Sequence, residues 1–363
     1  MARAVPDTGS ADDGALAGAG AHARSAPNAA AVLAGLAGAL AVAVLVGLAL
    51  GAVPVAPTRV FAAVGRLLTG RATGPADSVI TDVRLPRVLL AALVGACLGS
   101  AGALYQALFR NALADPYILG VSSGAGLAAT ATIIVGTVLG LSLSAAWTFA
   151  VPAAAFVGAL ATIALVAALA ARSGRLDTAS LLLAGIAVSY TLAAAMSLLM
   201  VLFRQSMTAV VFWLMGGLTA AGWPYVAVVA VMLAAGLALP LTSTRALDVI
   251  LLGDDRAAQL GVDVGRLKTL MLASASLLVA AAVAVSGLIG FVGLMTAHII
   301  RLAFGPKHAL LLPASALGGA ILLVLADVVA RTVIAPVELP VGIVTAAFGG
   351  PFFLWLLVRG EGR

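Results

Sequence analysis

The stretch 242–268, TSTRALDVILLGDDRAAQLGVDVGRLK, is an island of charge between two apolar runs of membrane length. It holds four acids (Asp248, Asp254, Asp255, Asp263) and four bases (Arg245, Arg256, Arg266, Lys268) in a chain that is only 9% charged. Asp254-Asp255 followed by Arg256-Ala257-Ala258-Gln259-Leu260 and Gly261 predicts a short helix. Acids stand at its start, where unpaired N–H groups and the helix dipole favour them, and a glycine stands where the chain leaves. Asp263 is a second start signal and opens the next long helix. A small capped helix held between two spans is a surface on which a partner protein can push. Taken alone, the same residues also read as a solvated loop with incidental helicity.

The apolar runs on either side set the class. Of 363 residues 63% are hydrophobic, against roughly 45–50% in soluble globular domains, so the fold is all-α, polytopic and embedded in a bilayer. The net charge of +6 does not imply a nucleic-acid partner, because the bases of a membrane protein are counted by side of the membrane. The single cysteine, Cys97, lies in an apolar run, and the three histidines (His22, His298, His308) are far apart. No disulfide, no metal site and no cofactor is expected in this chain.

Residues 1–28 are rich in Ala, Gly and small polar residues and predict a disordered cytoplasmic tail. The run 29–53 is too long for a signal-peptide core and long enough to span, since a span needs about 20 residues. The stretch 54–87 is mixed, with helical spacing over 61–68 and turn punctuation after it. Nine further spans fall at 88–109, 117–139, 149–171, 180–203, 223–242, 267–285, 287–304, 309–331 and 339–358, giving a ten-helix domain over 29–359 with both termini on one side. With the N-terminus in the cytoplasm, thirteen of the twenty Lys and Arg fall inside and seven outside, five of those seven in one loop. The positive-inside rule then gives an N-in/C-in chain in the cytoplasmic membrane, with 243–268 as a cytoplasmic loop.

Glycines stripe two spans, Gly95, Gly99 and Gly102 in one and Gly120, Gly124 and Gly126 in the next, where small residues let helix backbones approach closely. One acid, Asp327, sits inside the apolar run ILLVLADVVAR (321–331). Arg331 at i+4 lies on the same helix face, which predicts an ion pair near the outer end of that span; a proton or substrate role is the alternative. His298, near a helix end, is either a switch titrating near neutrality or a structural residue. FWLMGGL (212–218) reads as an interfacial element with aromatics at headgroup depth. A Walker A loop needs Gly-Lys-Ser/Thr, and the two lysines follow Leu267 and Pro306. No Ser/His/Asp, Cys/His or metal grouping is visible, so the chain is not expected to be an enzyme.

Seven segments together resemble one family, the transmembrane permease subunits of ABC importers for iron–siderophore complexes, vitamin B12 and haem. They are RLPRVLLAALVGACLGSAGALYQALFRNALADPYILGVSSGAG (84–126), LLLAGIAVS (181–189), FWLMGGL (212–218), LLGDDRAAQLGV (251–262), SGLIGFVGLMTAHIIRL (286–302), LLPASALGGAILLVLADVVAR (311–331) and ELPVGIVTAAFGGPFFLWLLVR (338–359). They run in family order over nearly everything after residue 50. The resemblance implies a type II ABC importer working by alternating access. Its parts are two ten-helix permease subunits (this chain twice, or with a paralogue), two cytoplasmic ATPases that bind ATP and Mg, and an extracytoplasmic substrate-binding protein.

Carried over by position, the resemblance implies roles for named residues. Leu252, Gly253, Asp254, Asp255, Ala257, Leu260 and Gly261 belong to the coupling helices that rest on the ATPase. Arg84, Arg87 and Arg331 receive glutamates of the binding protein, in keeping with the bidentate grip of arginine on carboxylates. Asn111, Leu113 and Thr178 fall at the cytoplasmic gate. The chain departs from the family pattern at Ala112 and Ala297, where prolines are usual, and at Ala179 and Gly350. The expected function is import of a ferric siderophore, with vitamin B12 or haem as alternatives within the family. From another class, the rival is a proton-coupled secondary transporter using Asp327, against which the sequence shows no inverted repeat of broken helices.

Overall fold

The computed structural model describes residues 28–51, 54–69, 74–141, 145–172, 178–219 and 221–359; the expected N-terminal tail lies outside them. Asn28 opens the first helix, its Oδ1 accepting the Ala30 N–H at 3.1 Å, which satisfies one of the donors a helix start leaves over. Helix α1 then runs Ala29–Ala49. On the outer side follow α2 (Pro57–Leu68) and α3 (Pro75–Ser78). Arg66 clamps the two together through Nε and Nη2, each 2.9 Å from an Asp77 oxygen. That guanidinium holds the Asp77 carboxyl below the usual carboxylate range.

A π-helical segment, Val79–Arg84, continues straight into α4 (Leu85–Leu108). The expected span of 88–109 is therefore too short: the helix begins at Val79, and Pro86 does not end it. Pro86 sits in the first turn of α4, where its missing N–H is tolerated. Thirty residues at 1.5 Å each make about 45 Å, against a hydrocarbon layer of about 30 Å, so the helix is longer than one upright crossing needs.

The remaining helices are α5 (Val121–Val138), α6 (Ala145–Ala171), α7 (Thr178–Leu202), α8 (Met207–Leu214), α9 (Trp223–Thr242), α10 (Thr244–Ile250), α11 (Asp254–Gln259), α12 (Val264–Ser286), α13 (Val292–Phe304), α14 (His308–Thr332) and α15 (Val341–Arg359). Among the described residues eight helices are long and apolar enough to cross a membrane, and α13 and α15 are shorter apolar helices. Together they make the expected ten.

Two of the spans are broken, which hydropathy did not show. The 13 residues of α13 reach about 20 Å and cannot cross unaided. The turn before α13 meets the 3₁₀ segment Pro116–Leu119 before α5: the Tyr117 hydroxyl donates to Ile289 O at 2.9 Å and accepts from Ile289 N–H at 3.3 Å. By chain order these turns enter from opposite sides of the membrane, so they meet within it. Each closes on a left-handed residue, Gly120 (φ 82°) before α5 and Phe291 (φ 67°) before α13. Irregular backbone survives at that depth when protein surrounds it, and Leu119, Gly120 and Ile289 are buried.

The packing repeats in the same way. α4 lies on α14 and α13, while α12 lies on α6 and α5. Units α4–α7 and α12–α15 thus share one order and cross the membrane in opposite directions, which corrects the expectation of no inverted repeat.

The glycine stripe on α4 explains how its backbone comes so close to α14. A Cβ on Gly95 would lie 2.2 Å from Gly319 O, and one on Gly319 2.1 Å from Gly95 O. Gly99 meets Ser315 O, and Gly102 meets Gly293 O on α13, each also at 2.2 Å. Gly95→Val is expected to wedge α4 from α14 at a cost of about 1–3 kcal/mol or more. It should lower the melting temperature in detergent, whereas Gly35→Val on α1, which meets nothing within 4 Å, should not. Equal melting of the two variants would show that the interface yields to a side chain.

Candidate functional site

On the cytoplasmic side the helix expected after Gly253 forms as α11. Gly253 has φ 108° and Gly261 φ 85°, conformations that favour glycine and turn the chain sharply into and out of the helix. Ala257, within the helix, is fully buried, while Leu252 and Leu260 at its two ends expose 55% and 64%. Asp263 then caps α12, its Oδ1 accepting the Arg266 N–H at 3.0 Å.

Three ties hold α10 and α11 to the spans. Lys268 Nζ of α12 donates to Asp254 Oδ2, and Arg110, just past α4, lies 3.8 Å from Asp254 Oδ1. Asp248 Oδ1 of α10 accepts the backbone N–H of His308 at 2.8 Å and pairs with its Nδ1 at 2.7 Å. His308, first residue of α14, is fully buried. The 242–268 stretch is therefore packed onto α12 and α14. Nothing in the sequence marks the Asp248–His308 pair, whose members are 60 residues apart.

The residues expected at the gate lie on two elements. Asn111 Oδ1 accepts the Leu113 N–H at 2.9 Å, an Asx turn just after α4. Thr178 is the first residue of α7. The two elements touch further on, where a Cβ on Gly185 would lie 2.9 Å from Ile118 O. Sequence reading missed Gln106, fully buried on α4. Its Nε2 donates to Leu294 O at 3.2 Å, and its Oε1 accepts from Arg301 Nη2 at 3.1 Å. His298 is buried in the middle of α13, edge-on to Phe352, and not near a helix end.

At the outer end the three arginines divide their work. Arg84 Nη1 donates to Leu48 O at 2.8 Å and Ala49 O at 3.3 Å. Arg331 donates to Gly47 O at 3.1 Å and Leu50 O at 3.3 Å. These carbonyls end α1, where intrahelical donors have run out and positive charge is favoured. Asp327, fully buried, takes Arg331 Nε at 2.9 Å and Arg87 at 3.0 Å. Arg87 Nη1 continues to Glu338 Oε2 at 2.8 Å. The i+4 pair read from the sequence is thus half of a chain running Arg331–Asp327–Arg87–Glu338.

Arg87 and Glu338 also line a cavity of about 480 Å³ with Trp147, Phe212, Trp213 and Tyr225, within the range of small-molecule sites. Trp213 lines this cavity and Gly216 packs on Leu288 O, while Phe212 is 61% exposed, so FWLMGGL forms one wall of the cavity.

The helical membrane body thus carries a short helix flanked by two leucines that the chain itself leaves uncovered. Among the described residues no three His, Cys, Asp or Glu gather as a metal site. The chain belongs to the FecCD transport family, whose model matches residues 39–359. It is 44% identical over 288 residues to the cobalamin import system permease protein of Halobacterium salinarum, covering 79% of this chain and 75% of that one. It is 43% identical over 279 residues to the hemin transport system permease protein of Yersinia pestis, covering 77% and 82%. A solved inward-facing structure of a metal-chelate type ABC transporter superposes with TM-score 0.79 at 31% identity, over 91% of this chain and 99% of that one. The chain is accordingly a multi-pass permease of an ABC importer, a system that also has ATPase and binding-protein subunits.

Proposed function

We propose that the chain imports a ferric siderophore by alternating access, as one of two ten-helix subunits joined to two cytoplasmic ATPases. The observation that carries this reading is α11, a capped helix with Leu252 and Leu260 exposed to the cytoplasm and its start tied to α12 through Asp254–Lys268. ATP and Mg belong to the ATPases. When these close, α11 moves with them and α12 follows through that pair. Asn111, Leu113 and Thr178 stand at the cytoplasmic gate, and the binding protein docks on the outer face with a carboxylate directed at Arg87. Arg84 and Arg331 hold the end of α1 beside that contact. An iron chelate is the preferred cargo because names of its relatives include hemin and a metal chelate; cobalamin, for which a relative of similar identity is named, is the runner-up.

Pulldown of the tagged chain after mild crosslinking, followed by reconstitution in vesicles, tests the reading. Recovery of an ATPase and an external binding protein, with ATP-driven uptake of radioactive ferric siderophore that ignores an uncoupler, is the expected result. Uptake of cobalamin alone would reassign the cargo. Uptake that survives ATP depletion but collapses with an uncoupler would overturn the importer mechanism.

A further inference from the structure

We infer that Glu338 is a resident carboxylate, holding Arg87 until a carboxylate of the external binding protein takes its place; the inference rests on the docking reading above. The two sides of Arg87 differ. Toward the interior it meets Asp327, whose side chain is 1% exposed; toward the outside it meets Glu338, whose side chain is 36% exposed. A buried pair is costly to open, whereas a half-exposed one is held weakly and exchanges readily. Arg84, Arg87 and Arg331 against Asp327 and Glu338 leave the cluster with one excess positive charge, and departure of Glu338 leaves two. An incoming carboxylate restores the balance, and arginine offers it two parallel donors.

The surroundings of Glu338 suit a protein partner. Glu338 lies in the turn between α14 and α15, where Val333, Ile334 and Val337 expose 64%, 53% and 61% of their surface. Because Arg87 on α4 pairs with Asp327 on the antiparallel α14, the level of this turn is also that of Val79 and Val83, exposed by 48% and 60%. These apolar side chains thus stand at the same end of the bundle as the Arg87–Glu338 pair. Uncovered apolar side chains around an exchangeable charge form the core-and-rim pattern of a protein interface. Glu338, Leu339, Pro340 and Val341 also wall the cavity. Exchange at Arg87 therefore removes one anchor of that wall, and docking loosens the wall around Ser286.

Ser286 reports on that wall. It lines the cavity and is 3% exposed, so a thiol placed there by Ser286→Cys is protected until the wall moves, while native Cys97 is fully buried. The assembled complex in nanodiscs is titrated with the binding protein recovered in the pulldown, and the thiol introduced by Ser286→Cys is labelled with a membrane-impermeant maleimide. Glu338→Gln is expected to tighten docking about fivefold and to speed labelling before any partner is added. Added binding protein should bring the parent to the same labelling rate. In an Arg87→Gln background Glu338→Gln should change nothing.

The outcomes separate the two claims. If Arg87→Gln weakens docking while Glu338→Gln alters neither docking nor labelling, the docking role stands and the resident carboxylate is wrong. If Glu338→Gln weakens docking, Glu338 is itself a contact and the inference fails. If neither variant changes docking, the docking reading falls and the inference with it. Glu338 is partly exposed, so its variant is expected to fold, which the size-exclusion profile of each complex verifies.

Discussion

Asp327→Ala is expected to destabilise the permease by about 3–5 kcal/mol, the range for removing one partner of a buried ion pair. In the parent, one buried carboxylate receives Arg331 Nε at 2.9 Å and Arg87 at 3.0 Å. Without it, two guanidiniums remain at the outer end of the bundle, with the Arg84 guanidinium near Arg331 at the end of α1. Glu338 can neutralise part of that charge only by turning further inward from its half-exposed position. Asp327→Asn keeps an acceptor oxygen at the same place but loses the charge, and should fall between parent and alanine variant. The measurement is melting in detergent followed by fluorescence-detected size exclusion. Asp327→Ala melting with the parent would mean that the arginines find other acceptors and that the pair is incidental.

On the cytoplasmic side, Leu260→Asp is expected to detach the ATPase. An exposed apolar anchor at the centre of an interface is worth about 2 kcal/mol or more, roughly thirtyfold in affinity. Because Leu260 is 64% exposed in the isolated chain, the variant should fold and melt like the parent. Asp254→Ala should behave differently. It leaves the leucines in place but removes the partner of Lys268, a buried cation 6% exposed. The ATPase then stays bound and hydrolyses ATP, while uptake per ATP falls because α11 no longer pulls on α12. Co-purification, ATPase rate and uptake, measured on both variants, separate attachment from transmission. If Leu260→Asp retains a full complement of ATPase, the coupling surface lies elsewhere.

A direct comparison of the two ends shows where reading from residues succeeds. The helix at 254–259, the cap at Asp263, the close glycine contacts of α4 and the Asp327–Arg331 pair all depend on residues within a few positions of each other, or on a repeat along one helix face. The break before α13 was not legible, because SGLIGFVGLM (286–295) is apolar throughout and hydropathy does not distinguish a turn packed inside protein from a helix crossing lipid. The same limit hid the tie between Tyr117 and Ile289, which join turns read as belonging to opposite faces.

By itself, then, the sequence determined what the chain can be: an all-helical membrane body of about ten spans, N-in and C-in, with one capped helix facing the cytoplasm. Transfer from water to lipid is a local property, and each run of about 20 apolar residues reports it independently. Only the tertiary structure decided that Arg87 meets Asp327 across 240 residues, that Lys268 holds Asp254, and that Arg84 and Arg331 close the end of α1. Inside a bilayer there is no hydrophobic drive to pair one apolar helix with another, so close packing and polar matching choose the neighbours. Those choices depend on helix faces that meet in three dimensions, which no local reading of the chain contains.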